Sequence, residues 1–263
     1  MVFRQDPRAF QVAALGALLA ANIAWFDFGA GPLQSAITIA ASLVAQAIFC
    51  RLFRVPFDWR SPLVTGLSLS ILLRTHEPAL WMAAPLLAVG SKFLLRFRGK
   101  HLFNPAAFAI ATLLLVSDQV WVSPGQWGTA TWLVLLIVSA GGLVLTRSDR
   151  VDTAAGFAVC YGGLLLWRCL WLGDPLTIPL HQVQTGSLLL FTFFMITDPR
   201  STPDSRAGRM VFTALTAAVA YQLQFVWQVR TGLYFALVAG ALATPVLDIV
   251  LPAARFRWRA KEA

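Results

Sequence analysis

The stretch Leu188-Leu-Leu-Phe-Thr-Phe-Phe-Met-Ile-Thr-Asp198-Pro199-Arg200-Ser-Thr-Pro203 decides how this chain is read. It begins as an apolar run of membrane grade. It ends in an acid, a proline and a basic, turn-rich loop. Asp198 stands at the seam. A carboxylate at the edge of a hydrocarbon-spanning segment is costly, which makes it a functional candidate. The competing reading is a helix stop facing the lipid headgroups, and the local pattern leaves both open.

The rest of the chain is of the same grade. Of its 263 residues, 58% are hydrophobic and 13% charged, against roughly a quarter charged in a soluble domain. Mean hydropathy is +0.69. These values describe a polytopic membrane protein of the all-α class. The formal charge of +9 does not point to nucleic acid, because most Arg and Lys fall in short clusters between apolar runs. Cys50, Cys160 and Cys169 form no CxxC pair, so no disulfide framework is expected. His76, His101 and His181 lie too far apart for a metal-ligand spacing.

Ten apolar segments can be drawn, at about 9–26, 33–50, 61–73, 79–95, 104–117, 127–146, 151–172, 183–197, 207–228 and 231–250. The first resembles a signal peptide but is read as an uncleaved helix, because the topology closes with it included. A spanning helix needs about 20 residues. The third, fifth and eighth segments are shorter, which suits half-helices or re-entrant pieces covered by protein. With the N-terminus inside, the inner loops and the C-terminal tail hold 18 of the 21 basic residues. Arg74, Arg168 and Arg230 remain outside. The positive-inside rule therefore predicts both termini in the cytoplasm, for a multi-pass protein of the bacterial inner membrane.

Ten helices divide into five and five. An odd unit inserted twice is inverted, as in many transport folds, and short segments at matching places mark a midplane site. The expectation is a single membrane domain over 1–263, with repeat 1 at about 9–117, repeat 2 at about 127–250 and a cytoplasmic tail at 251–263. Two helix starts carry a cap followed by proline: Ser61-Pro62 and Asn104-Pro105. Sunk below the membrane surface, either start could hold an anion. At the surface it is ordinary capping. The small residues that follow, Thr65 among them, serve close helix packing first and a ligand surface second.

Three stretches together resemble the RnfD/NqrB family. They are Pro62-Leu-Val-Thr-Gly-Leu-Ser-Leu-Ser-Ile-Leu-Leu73, Lys100-His-Leu-Phe-Asn-Pro-Ala-Ala107 and Phe193-Phe-Met-Ile-Thr-Asp-Pro-Arg-Ser-Thr-Pro203. The family supplies membrane subunits of the Rnf ferredoxin:NAD and Na⁺-translocating NADH:quinone oxidoreductase complexes. The resemblance implies two inverted five-helix repeats and flavin-dependent electron transport coupled to cation movement. Members with covalent FMN carry it on the threonine of a Ser-Gly-Ala-Thr motif. Here the nearest stretch is Gly125-Gln-Trp-Gly-Thr-Ala-Thr131, so neither Thr129 nor Thr131 is assigned a flavin. The chain is also shorter than those members. The expected cofactor is FMN or riboflavin held without a covalent bond, facing Ser61, Thr65, Asn104, Pro105 and Thr197. Asp198 is the expected acid of the site or of an ion pathway.

Two further readings remain. One is a small-solute or ion transporter or channel without redox chemistry, favoured by the missing flavin threonine. The other is a membrane anchor whose basic loops, Lys92–Lys100 and Arg200–Arg209, dock a cytoplasmic subunit. Expected partners are membrane lipid and the membrane and cytoplasmic subunits of a redox complex, with no nucleic acid. No catalytic constellation points to a hydrolase or transferase, and the enzymatic role implied is that of an oxidoreductase subunit. Asp152 with Thr153 reads as the N-cap of the seventh helix. Asp248 is a second, weaker membrane-edge acid.

Overall fold

A computed structural model describes residues 6–26, 29, 31–122 and 131–256. Among them are eleven α-helices: α1 Pro7–Ala21, α2 Pro32–Leu52, α3 Arg60–Leu72, α4 Pro78–Leu94, α5 Pro105–Val116, α6 Thr131–Ser148, α7 Val151–Leu172, α8 Thr177–Val183, α9 Gly186–Leu190, α10 Arg206–Tyr221 and α11 Gly232–Val250. π turns extend α1 over Asn22–Phe26, α9 over Phe191–Met195 and α10 over Gln222–Val226. The described parts of the ten expected segments fall on these helices to within a few residues, 127–130 lying outside the described residues. Proline stands in the first turn of α1, α2, α4 and α5, where its missing N–H costs nothing. α7 ends at Gly173 in the left-handed region, φ 73°.

Two elements were not anticipated. One is the short α8. The other is a hairpin of β1 Arg96–Phe97 and β2 Lys100–His101. Its two turn residues, Arg98 and Gly99, have φ 48° and 76°, as a primed hairpin turn requires.

Four helical stretches are long and apolar enough to cross a membrane: Pro7–Trp25, Pro32–Leu52, Val151–Leu172 and Gly232–Val250. Their faces carry bare leucine, valine and tryptophan, such as Val44 and Ile48 on α2, Leu170 and Trp171 on α7, and Val246 and Ile249 on α11. Apolar surface of this extent suits hydrocarbon rather than water. The short helices α3 and α5 are more deeply buried. α3, about 20 Å long at 1.5 Å per residue, buries Thr65, Gly66, Leu69 and Ser70. α5 buries Pro105, Ala106, Ala107 and Ile110. Small residues let the backbones close up: a Cβ on Gly66 would sit 2.9 Å from the Ile39 backbone, and one on Gly141 2.6 Å from Phe193. The chain is an all-α, multi-pass membrane protein.

Part of the helix packing recurs in the two halves. In the first, α2 packs on α4, α4 on α5 and α1 on α3. In the second, α7 packs on α10, α10 on α11 and α6 on α9. The close packing of α2 on α3 has only a weak counterpart, between α7 and the π turn after α9. Across the middle, α1 touches α6 and α5 touches α11.

The basic loops gather at one end. Arg8 pairs with Asp6 and Asp58, Lys100 with Asp204 and Asp248, and Arg209 with Asp152. Phe256 N–H donates to Asp204, which ties residues after α11 into the same end. At the far end Arg74 is buried, donating to the carbonyls of Ser70, Ile71 and Leu73. It thereby caps the orphan carbonyls where α3 stops.

Two cap assignments need correction. α3 begins at Arg60, not at Ser61, because Asp58 Oδ1 accepts from Arg60 N–H and starts the turn earlier. Ser61 is thus inside the first turn and caps nothing. Asp152 is likewise inside α7, whose N-cap is Arg150, and its carboxylate is taken by Arg209. Of Gly125–Thr131, all but Thr131 lie outside the described residues. So do residues 257–263 of the expected tail.

Candidate functional site

At the basic end, between the halves, lies a cavity of about 460 Å³. The first turns of α3, the start of α5 and the chain from Phe194 to Arg200 form much of its wall. Ser61, Thr65, Asn104, Pro105, Thr197 and Asp198 all line it. The structure therefore brings every expected site residue to one place.

Asn104 is the joint of this wall. Its Oδ1 accepts from Ala107 N–H at 3.0 Å, the N-cap bond of α5, and Pro105 fills the next position. Its Nδ2 donates to the Met195 carbonyl at 3.0 Å, where the π turn ends. Both ends of the amide are engaged, so Asn104 positions two elements against each other. Thr65 donates its hydroxyl to Ser61 C=O at 3.1 Å, and Thr197 to Phe193 C=O at 2.8 Å. Each hydroxyl oxygen keeps lone pairs for a ligand.

Asp198 is bonded within its own turn and also faces the cavity. In the turn, its Oδ1 accepts from Arg200 N–H at 3.0 Å, and its carbonyl accepts from Thr202. Its Oδ2 lies 3.4 Å from His101 Nε2 inside the cavity wall. Burial pushes the Asp198 carboxyl up, but His101, Arg200 N–H and the Ser201 hydroxyl outweigh this and hold it below the usual range. Burial holds the His101 imidazole below its usual range against the pull of Asp198. At neutral pH the pair is a neutral imidazole beside a carboxylate.

Sequence reasoning misses several lining residues. His101 sits within the family-like stretch 100–107, but without a second ligand nearby in sequence it carries no signal of its own. Lys92 reads only as a topology charge, although it stands inside the segment at 79–95, where a cation is itself a signal. Arg8, Asp58, Gln46, Arg96 and Arg200 also line the cavity, from widely separated parts of the chain. Asp248 does not. It accepts from Lys100 at 2.8 Å and from Asp204 N–H, and so fastens the end of α11. Trp167 and Trp227 lie on the outside, with Trp167 against Trp171. Among the described residues no cluster of metal-ligating side chains is present.

Residues 118–257, just over half of the chain, match the family model described as NQR2, RnfD, RnfE family. The chain belongs to this family. The matched region contains the stretch around Asp198, and full-length relatives extend the likeness to the first half. The D component of the ion-translocating oxidoreductase complex of Cronobacter sakazakii is 22% identical over 93% of each chain. Its counterpart in Shewanella amazonensis is 24% identical over 93% of this chain and 92% of its own. The D component of the Na⁺-translocating ferredoxin:NAD⁺ oxidoreductase complex of Acetobacterium woodii is 24% identical over 90% and 86%. The first alignment runs over 326 positions, more than the 263 residues of this NQR2, RnfD, RnfE family member, so that relative carries internal segments absent here.

Proposed function

We propose that this chain is the membrane subunit of an ion-translocating electron-transport complex, and that its cavity holds a flavin, FMN or riboflavin, without a covalent bond. The observation that carries the reading is convergence. Three stretches that are far apart in sequence, and that together resemble RnfD/NqrB, build the wall of one cavity. The relatives are named as parts of ion-translocating oxidoreductase complexes, which supports membrane and cytoplasmic partner subunits here.

The residues fit such a group. The volume, about 460 Å³, lies within the roughly 300–1,000 Å³ of cofactor and ligand sites. Phe194 is an aromatic side chain on the lining, and four basic side chains outnumber two carboxylates there. A bound flavin would supply the electron-transfer chemistry. The chain would hold it with the Thr65 and Thr197 oxygens, on a wall fixed by Asn104. His101, restrained by Asp198, would give or take a proton at Nε2. Asp198 would also be the acid that a passing cation meets.

The recurring part of the helix packing supports two inverted five-helix repeats, at about 9–117 and 127–250, within one domain. The concentration of Arg and Lys at the cavity end supports that end, and both termini, facing the cytoplasm across the bacterial inner membrane, with lipid around the long helices.

The test is an absorbance spectrum of the purified protein, repeated after denaturation and filtration. A flavin spectrum that leaves with the filtrate is expected. A spectrum that stays with the chain would mean a covalent site and overturn the non-covalent reading. A colourless, folded protein would overturn the flavin altogether and leave solute or ion passage, measurable as flux in proteoliposomes without an electron donor.

A further inference from the structure

We infer that Lys92 and Ser61 form an oxyanion subsite within the cavity, built for the phosphate monoester of the bound cofactor. This deepens the reading above and rests on it.

Lys92 is near the C-terminal end of α4, 5% exposed, and lines the cavity. None of the ion pairs among the described residues includes it. A buried cation without an opposite charge is expensive, and an anionic ligand removes that cost. Most other charges on the lining are already engaged. Arg8 is held by Asp6 and Asp58. Asp58 also takes Arg60 and its N–H. Asp198 is taken by His101 and Arg200 N–H. Arg96 Nε donates to the Lys92 carbonyl. The Arg200 side chain is only partly buried. Asp198 and Asp58 act on Lys92 only through space, and no carboxylate among the described residues lies at ion-pair distance from it.

The hydrogen bond of its ammonium sets the chemistry. Lys92 Nζ donates to Ser61 Oγ at 3.1 Å. An ammonium has three protons, and a hydroxyl that accepts one bond still has its own proton to give. The pair therefore retains two ammonium donors and one hydroxyl donor, all suited to phosphate oxygens. A polyol phosphate, the side chain of FMN, presents such oxygens.

The test compares FMN with riboflavin on the full-length protein in phosphatidylcholine nanodiscs, read by flavin fluorescence. FMN should bind about tenfold to a hundredfold tighter, the worth of charge-assisted hydrogen bonds. Lys92→Gln and the milder Ser61→Ala should lose that preference, bringing the ratio of FMN to riboflavin affinity to about one. Equal binding of the two flavins by the wild type would overturn the subsite and leave the flavin cavity standing. If neither flavin binds, the cavity reading fails, and inorganic pyrophosphate decides the subsite alone. Thermal stabilisation of the wild type but not of Lys92→Gln would uphold an oxyanion site, and no difference would overturn it. If phosphatidylglycerol abolishes the FMN preference, the subsite takes a lipid headgroup and its assignment to the cofactor is overturned.

Discussion

Replacing Asn104 should cost more than removing a helix cap. The side chain is 8% exposed and makes two bonds, to Ala107 N–H and to the carbonyl of buried Met195. Losing an N-cap costs about 1 kcal/mol. The Met195 carbonyl keeps a long bond from Asp198 N–H at 3.4 Å, so losing the Asn104 bond adds about 0.5–1.5 kcal/mol. Asn104→Ala should therefore destabilise by about 1.5–2.5 kcal/mol. Asn104→Ser keeps the cap and loses the Met195 bond, about 0.5–1.5 kcal/mol. Asn104→Asp also keeps the cap but points an oxygen at the Met195 carbonyl, so it should be the least stable despite its favourable charge at a helix start. Thermal unfolding in detergent, followed by tryptophan emission, gives the order Asn, Ser, Ala, Asp from most to least stable. If Asp equals or exceeds Ser, the Met195 bond does not hold the two elements and the joint is only a cap.

Two more outcomes follow from the charges at this end. Burial holds His101 below the ordinary imidazole value, about 6.5, so the unfolded chain takes up that proton first as pH falls. Its contribution is full above that value and is lost as pH drops towards the folded value. Asp198 is shifted down from a lower starting point and adds nothing in that window. Unfolding temperature should fall from about pH 7 towards pH 5, and more gently in His101→Gln; equal slopes would refute the burial argument. The Asp152–Arg209 pair has side chains 13% and 11% exposed, with three contacts between 2.5 and 3.1 Å. Arg209→Ala should cost about 1.5–3 kcal/mol, the worth of hydrogen bonds to a charged group, because the carboxylate keeps Thr153 N–H at 2.8 Å and Arg206 at 3.8 Å. The double variant with Asp152→Ala should cost less than the two single losses added, because the sites are coupled. Additive losses in the unfolding temperature would show the pair to be independent.

Most of the architecture was legible because membrane crossing leaves a coarse mark. The apolar runs at 33–50 and 151–172 became α2 and α7 almost residue for residue. The hairpin at 96–101 was hidden inside a charge cluster, since only the φ angles of Arg98 and Gly99 distinguish it from a loop. Ser61-Pro62 had the right residues for a cap, but Asp58 three residues earlier had the better carboxylate and won the helix start. Asp198 was found because its flanks change character within three residues. Lys92 was not, because its run continues beyond it and a lysine at a segment end reads as topology. Long-range partners explain the rest: nothing in the sequence says that Gln46 and Phe194 face one space.

Topology and site are one set of charges here. Arg8, Lys92, Arg96 and Arg200 all count towards the basic bias that orients the chain, and all four line the cavity. A half-buried space between the two halves of the chain must open towards one end. If it opens among the arginines that fix orientation, it inherits their field, and an anion is drawn to it whatever its ring system. What the site then adds is selective pairing. Asp6, Asp58 and Asp198 engage Arg8 and His101, whereas Lys92, 5% exposed, has no carboxylate at ion-pair distance among the described residues. Orientation needs any cation in these loops, but that arrangement needs a particular lysine opposite a particular serine. A charge swap that preserves the basic count, such as Lys92→Arg, should therefore keep insertion and still disturb the cavity, because the longer planar guanidinium does not reproduce a point donor to Ser61.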